Sequence, residues 1–149
     1  MNKPSIQKIY NFLLKVDNTF KTPLSSRQNL LELAEKFYEK ATVCAVEDCE
    51  QILAMVAGYT ENLTDGIAYI SVVATLPEAQ GKGYAKTLIN QFKQICEQKK
   101  IEAVHLYTDV SNTKAISLYK KLGFSAYIKD DEQRPQDVHL ICYLNGVNK

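Results

Sequence analysis

The chain is poor in the features that tie a protein to a membrane, a metal or a nucleic acid. No apolar run approaches the roughly 20 residues that a membrane helix needs. Lys3, Lys8 and Lys15, scattered through the first segment, do not form a signal peptide. Neither charge sign is in excess: 18 Lys and Arg against 17 Asp and Glu leave +1, so a strongly basic nucleic-acid binder is not expected. The default compartment is the cytosol. Cys44, Cys49, Cys96 and Cys142 form no C-x-x-C pair, so no metal site is expected. Cys44, Cys96 and Cys142 lie in apolar patterns and read as small buried hydrophobes, and Cys49, between Asp48 and Glu50, as a turn residue. None has the setting of a catalytic nucleophile. Repeats, low-complexity tracts and linkers are missing too, which leaves a single domain over residues 1–149.

What is present is a patterned globular sequence, 46% apolar over 149 residues, enough for a core. Ile6, Ile9, Tyr10, Leu13 and Leu14 recur at helical spacing and predict a first helix over 4–17. Thr22-Pro23-Leu24 interrupts it. Ser25 with Gln28 has the form of a capping box opening a second helix through Leu30, Leu33, Ala34, Phe37 and Tyr38. Alternation then predicts strands over 41–47 and 51–59, joined as an antiparallel hairpin by Asp48-Cys49-Glu50. A polar loop, 61–66, leads to a strand over 67–75 that Pro77 closes. Ala85, Leu88, Ile89, Phe92, Ile95 and Cys96 mark a third helix, 103–108 a strand, and 112–122 a fourth helix ended by Gly123. A closing pair of strands, 124–130 and 138–144, flanks the polar segment 131–137. The expected class is α/β, a mixed and mostly antiparallel central sheet with one parallel pair made by a right-handed crossover, and helices on its faces.

Two stretches carry the chemistry. Gln80-Gly81-Lys82-Gly83-Tyr84-Ala85 follows an apolar strand and opens a helix. The first turn of a helix has amides without helical partners at the positive end of its dipole, so oxyanions settle there. Gly81 and Gly83 let a ligand approach the backbone, and Lys82 and Lys86 add charge. A Walker loop is absent, and Lys86 replaces the third small residue of a dinucleotide fingerprint. An ordinary glycine turn that starts a helix would look the same by itself. The second stretch runs Asn112-Thr113-Lys114-Ala115-Ile116-Ser117-Leu118-Tyr119-Lys120-Lys121-Leu122-Gly123-Phe124. Asn112 is suited to cap a helix. Tyr119 lies seven residues, about two turns, further on and so on nearly the same face.

Together these stretches resemble the signatures of the Gcn5-related N-acetyltransferases (GNAT). Gln80, Gly83 and Ala85 match Q/R-x-x-G-x-G/A. Asn112, Ala115, Tyr119, Gly123 and Phe124 match N-x-x-A-x-x-x-Y-x-x-x-G-F. The element order is similar over nearly the whole chain. The resemblance implies an acyl-CoA N-acyltransferase-like fold whose parallel strands, 67–75 and 103–108, splay apart to admit acetyl-CoA. Backbone amides from Gly81 through Lys82, Gly83, Tyr84 and Ala85 to Lys86 would hold the pyrophosphate, beside Gln80. The strand end at Val73-Ala74-Thr75 would pair with the pantetheine arm, one amide there polarising the thioester carbonyl. Asn112 would contact that arm or serve only as a cap. Tyr119 would be general acid to the coenzyme A thiolate, or a core aromatic beside Leu118 and Leu122.

The attacking amine must lose a proton, and the family often supplies a glutamate for this. Here 67–75 contains no carboxylate, and Tyr107 stands five residues before the motif asparagine. Glu47, Glu78, Asp109, Tyr107 or a water chain remain as bases, while His105 reads as a strand residue. The expected activity is acetyl transfer to a primary amine by direct attack. Expected partners are a small-molecule or peptide amine and at most a second copy of the chain, with no nucleic acid and no membrane. Competing readings are a non-catalytic acyl-CoA-binding module and a toxin acting on charged tRNA. The acceptor would be set by the first two helices, the loop 61–66 and the acidic segment with Asp130, Asp131, Glu132 and Asp137.

Overall fold

The computed structural model describes residues 3–128 and 134–146. The principal elements are α1 (Ile6–Val16), α2 (Leu30–Lys40), β1 (Thr42–Glu47), β2 (Ile52–Tyr59), β3 (Ala68–Thr75), α3 (Tyr84–Gln98), β4 (Ala103–Asp109), α4 (Thr113–Lys121), β5 (Ser125–Ala126) and β6 (Asp137–Tyr143). They follow the order and type that periodicity predicts. The strands form one sheet in the order β1-β2-β3-β4-β6-β5. The backbone groups into two compact units, Met1–Gly58 with Val72–Phe92, and Tyr59–Ser71 with Lys93–Lys149.

In the first unit α1 and α2 bury matching stripes, Ile9, Phe12, Leu13 and Val16 against Leu30, Leu33, Ala34 and Phe37. Each fully buried Val, Leu, Ile or Phe side chain contributes about 1.5–3 kcal/mol. Ser5 Oγ caps α1 by accepting the Lys8 N–H at 3.2 Å. The expected start of α2 is corrected. Asn29, and not Ser25, is its cap, with Oδ1 accepting the Glu32 N–H at 3.0 Å. Ser25 is taken by Asp17, to whose carboxylate it donates its N–H (3.0 Å) and its hydroxyl (2.6 Å). That hydroxyl, above the other contributions, holds the Asp17 carboxyl below its usual value. At the other end of α2, Lys3 Nζ donates to the carbonyls of Tyr38 (2.7 Å) and Ala41 (2.6 Å), where the helix has run out of its own donors.

The hairpin forms as expected. β1 pairs antiparallel with β2, Thr42 opposite Gly58, with a register shift at Val46/Glu47. Asp48 Oδ1 closes the turn by accepting the N–H groups of Glu50 and Gln51, both at 2.8 Å. β2 is buried on both faces from Ala54 to Gly58, which suits a central strand.

In the second unit β3 pairs parallel with β4 through Ala68–Val104, Tyr69–His105 and Ile70–Leu106. β4 pairs antiparallel with β6 from Ala103–Tyr143 to Asp109–Asp137. The strand expected over 124–130 is shorter: β5 is Ser125–Ala126, and Tyr127 N–H reaches His139 O at 2.8 Å beyond it. It is an edge strand, and a very short strand is one way of blunting an edge. The remainder from 129, and with it Asp130, Asp131 and Glu132, lies outside the described residues. Cys44, Cys96 and Cys142 are buried and Cys49 is exposed. Among the described residues no helix is long and apolar enough to cross a membrane, and no group of three His, Cys, Asp or Glu could hold a metal.

Candidate active site

The first unit carries the glycine turn and the strand end that precedes it. Along β3, Ala68, Ile70, Val72 and Ala74 are buried, while Tyr69, Ser71, Val73 and Thr75 are half-buried on the other face. Leu76 N–H still bonds Leu53 O at 2.9 Å. Pro77 then opens a single 3₁₀ turn to Ala79, and Gln80 is extended (φ −71°, ψ 158°). Gly81 (φ +85°) and Gly83 (φ +78°) are left-handed, a conformation that costs an L-residue about 1–2 kcal/mol.

A β-carbon built on either glycine meets no atom within 4 Å. The protein therefore does not require glycine here for packing, and the space over the turn is open. Gln80, Gly81, Lys82, Gly83 and Lys86 are exposed, and Tyr84 and Ala85 half-buried. The first helical bond of α3 is Thr87 N–H to Gly83 O at 3.1 Å, and Thr87 Oγ1 donates to the same carbonyl. The amides of Tyr84, Ala85 and Lys86 thus precede the ladder at the positive end of a 15-residue helix. An open cradle, unladdered amides and two exposed lysines fit a diphosphate.

The second unit carries Asn112 and Tyr119 on α4. Asn112 caps the helix, its Oδ1 accepting the Ala115 N–H at 3.3 Å. Its own N–H donates to Asp109 O at 2.9 Å. Tyr119 is 6% exposed, and its ring lies 5.8 Å from that of Phe124, tilted by 60°. Burial pushes its phenol well above the ordinary value, so it keeps its proton across the physiological range. The helix ends as Gly123 implies, at φ +99° with Phe124 N–H bonded to Tyr119 O at 3.0 Å. Lys93 Nζ completes this end by donating to Leu122 O at 2.7 Å. Lys93 was not legible beforehand, since nothing local links a helix residue to a turn 29 positions away.

The carboxylates considered as bases are mostly engaged. Glu47 pairs with Lys8 at 3.1 Å. Asp109 Oδ1 accepts both the N–H (2.8 Å) and the hydroxyl (2.6 Å) of Ser111, a turn preceding α4. Glu78 is exposed on the 3₁₀ turn. Tyr107 stacks on His139, centroids 4.0 Å apart and planes 19° apart, and the Arg134 guanidinium carbon lies 3.8 Å from the Tyr107 ring centroid. His105 Nδ1 is hydrogen-bonded to His139 Nε2 at 2.8 Å. His139 and Arg134 escaped sequence reasoning, because only the β4–β6 register puts His139 opposite Tyr107.

Comparison with known proteins bears on the family and the fold. The sequence model of the acetyltransferase (GNAT) family matches residues 7–124. Mycothiol acetyltransferase of Renibacterium salmoninarum is 32% identical over 118 residues, covering 73% of this chain and 33% of that protein. The chain spans a third or less of the length of the curated relatives it matches first. Two solved structures show the same fold at low identity. The PaiA N-acetyltransferase of Thermoplasma acidophilum, in complex with coenzyme A, has a TM-score of 0.70 at 16% identity, covering 96% of this chain and 97% of that one. The ribosomal-protein-alanine N-acetyltransferase of Brucella melitensis has a TM-score of 0.72 at 14% identity, covering 96% and 98%. With both motifs present, a mixed sheet holding one parallel pair, and a family match across most of its length, the chain belongs to the GNAT family of acetyltransferases.

Proposed function

We propose that this chain transfers an acetyl group from acetyl-CoA to a primary amine. The observation that carries the proposal is the turn at 81–86, whose left-handed glycines leave their β-carbon positions open ahead of the unladdered amides of α3. Acetyl-CoA, when bound, supplies the acetyl group as a thioester already activated towards an amine. The amides from Gly81 to Lys86, with the Lys82 and Lys86 side chains, hold the diphosphate. The backbone of Val73 and Thr75 pairs with the pantetheine arm, and an amide there polarises the thioester carbonyl. Asn112 donates to the arm through Nδ2, since Oδ1 serves the cap.

Tyr119 donates a hydrogen bond to the departing sulfur. A thiol has a reference pKa of about 8.5 and a phenol of about 10, and burial raises Tyr119 further. Complete proton transfer to the thiolate is therefore uphill, and donation without transfer is the role that burial supports. The amine attacks the carbonyl carbon of the acetyl group directly and the thiolate leaves, with no cysteine relay: burial pushes the thiol of Cys44, on β1, up to about 11.

The test is thiol release from acetyl-CoA over a panel of amines, among them spermidine and a peptide with an N-terminal alanine, with coenzyme A binding measured by calorimetry. Tyr119→Phe is expected to lower kcat on the order of 10²-fold at unchanged coenzyme A affinity. Equal rates would remove the phenol from the chemistry. Binding with no thiol release on any amine would leave only an acyl-CoA-binding module.

A further inference from the structure

Gly83 stands one residue ahead of α3, and a single residue supplies two donors to its carbonyl. Thr87 gives its N–H at 3.1 Å and its Oγ1 hydroxyl at 3.1 Å. A carbonyl oxygen has two lone pairs, so Thr87 fills the acceptor capacity of this one. Thr87 and the Gly83–Tyr84 peptide lie in the first compact unit with the rest of the glycine turn. Thr87 is exposed, so packing does not call for its hydroxyl. Inside a helix a hydroxyl bonded four residues back slightly opposes stability. Here the carbonyl lies outside the helix, on a glycine at φ +78°.

We propose that Thr87 is a positioning residue for the diphosphate of acetyl-CoA, its hydroxyl fixing the Gly83–Tyr84 peptide so that the Tyr84 N–H faces the ligand. The proposal rests on the acetyl-CoA reading of the turn given above. A trans peptide is planar, and its C=O and N–H point in opposite directions; no cis bond occurs among the described residues. Thr87 draws the Gly83 oxygen along α3, so the Tyr84 N–H points the other way, out of the helix start.

Glycine takes positive and negative φ about equally readily, and a β-carbon at position 83 meets nothing within 4 Å. Packing therefore does not stop this peptide from turning over. A turned peptide presents an oxygen to the anion in place of an N–H. The helical bond alone opposes that rotation with one donor, and the hydroxyl adds a second. The hydroxyl also polarises the peptide, which strengthens the Tyr84 N–H as a donor.

Calorimetric titration with coenzyme A of wild type, Thr87→Val and Thr87→Ser tests this. Valine keeps the branched shape without the hydroxyl, and its helix propensity is close to that of threonine, so Tm is expected to stay the same. Thr87→Val is expected to bind about three- to tenfold more weakly, the net worth of one hydrogen bond, and Thr87→Ser to recover wild-type affinity. A merely structural role would not move the second readout, the Tyr84 amide proton followed by NMR during titration with inorganic pyrophosphate. It is expected to shift downfield in wild type and Thr87→Ser, and by less in Thr87→Val. In the third readout, the ratio of kcat/KM for acetyl-CoA to that for S-acetylpantetheine, which lacks the diphosphate, is expected to fall in Thr87→Val by the same factor as the affinity. Wild-type coenzyme A affinity in Thr87→Val, or a Tyr84 shift that the substitution leaves unchanged, overturns this proposal alone. Failure of the wild-type protein to bind coenzyme A overturns the reading of the turn and this proposal with it.

Discussion

Gly83 and Gly66 form a matched pair that separates the cost of a backbone conformation from the loss of a ligand. Both have φ +78°, and a β-carbon on either meets nothing within 4 Å. Gly66 sits in a loop where Asp65 Oδ1 accepts the Ile67 N–H at 3.2 Å. Gly83 opens α3. Alanine at either site is forced into the left-handed region at about 1–2 kcal/mol, offset by about 0.4–1 kcal/mol through the stiffer unfolded chain. The net loss is about 1 kcal/mol, which lowers Tm by roughly 2–4 °C for a chain of this size.

Calorimetric melting should therefore give Gly83→Ala and Gly66→Ala the same shift. Titration with coenzyme A should then separate them. Gly66→Ala should bind like wild type. Gly83→Ala should bind at least about tenfold more weakly, or about 1.4 kcal/mol, because the added methyl occupies the approach to the unladdered amides. If Gly83→Ala matches wild type in affinity while losing the same Tm as Gly66→Ala, the diphosphate does not sit on this turn. Unequal Tm shifts would refute the claim that the backbone angle alone sets the cost.

Asn112 combines two roles that substitution can part. Asn112→Ala should lose about 1 kcal/mol of cap together with coenzyme A affinity, whereas Asn112→Ser should keep the cap and lose only affinity; a serine variant that binds as wild type would leave Asn112 as a cap. Tyr119 is raised by burial, so its contribution to stability is fully present below about pH 10 and is lost as pH rises from there towards its folded value. Urea midpoints at pH 8 and pH 11 should fall more for wild type than for Tyr119→Phe, and parallel declines would contradict the burial of the phenol. Iodoacetamide at neutral pH should label exposed Cys49, and should reach Cys44, whose thiol burial pushes up to about 11, only after unfolding; early labelling of Cys44 would mean that β1 opens.

What the sequence by itself determined is what depends on near neighbours. Apolar spacing of 3.6 or 2 set the type and order of the elements, because a helix stripe or a strand face must be buried whatever covers it. The glycine turn and the Asn112 cap were legible for the same reason: a left-handed angle or an unladdered amide is a property of a few consecutive residues. The start of α2 was misplaced where a distant group intervened, with Asp17 holding Ser25 and Asn29 left to cap the helix. Only the tertiary structure decided the pairing of His105 with His139, the seat of Lys93 on the Leu122 carbonyl, and the depth at which Tyr119 is buried. Each depends on a strand register or a packing contact between residues far apart in sequence, and no local periodicity encodes which distant strand will lie alongside.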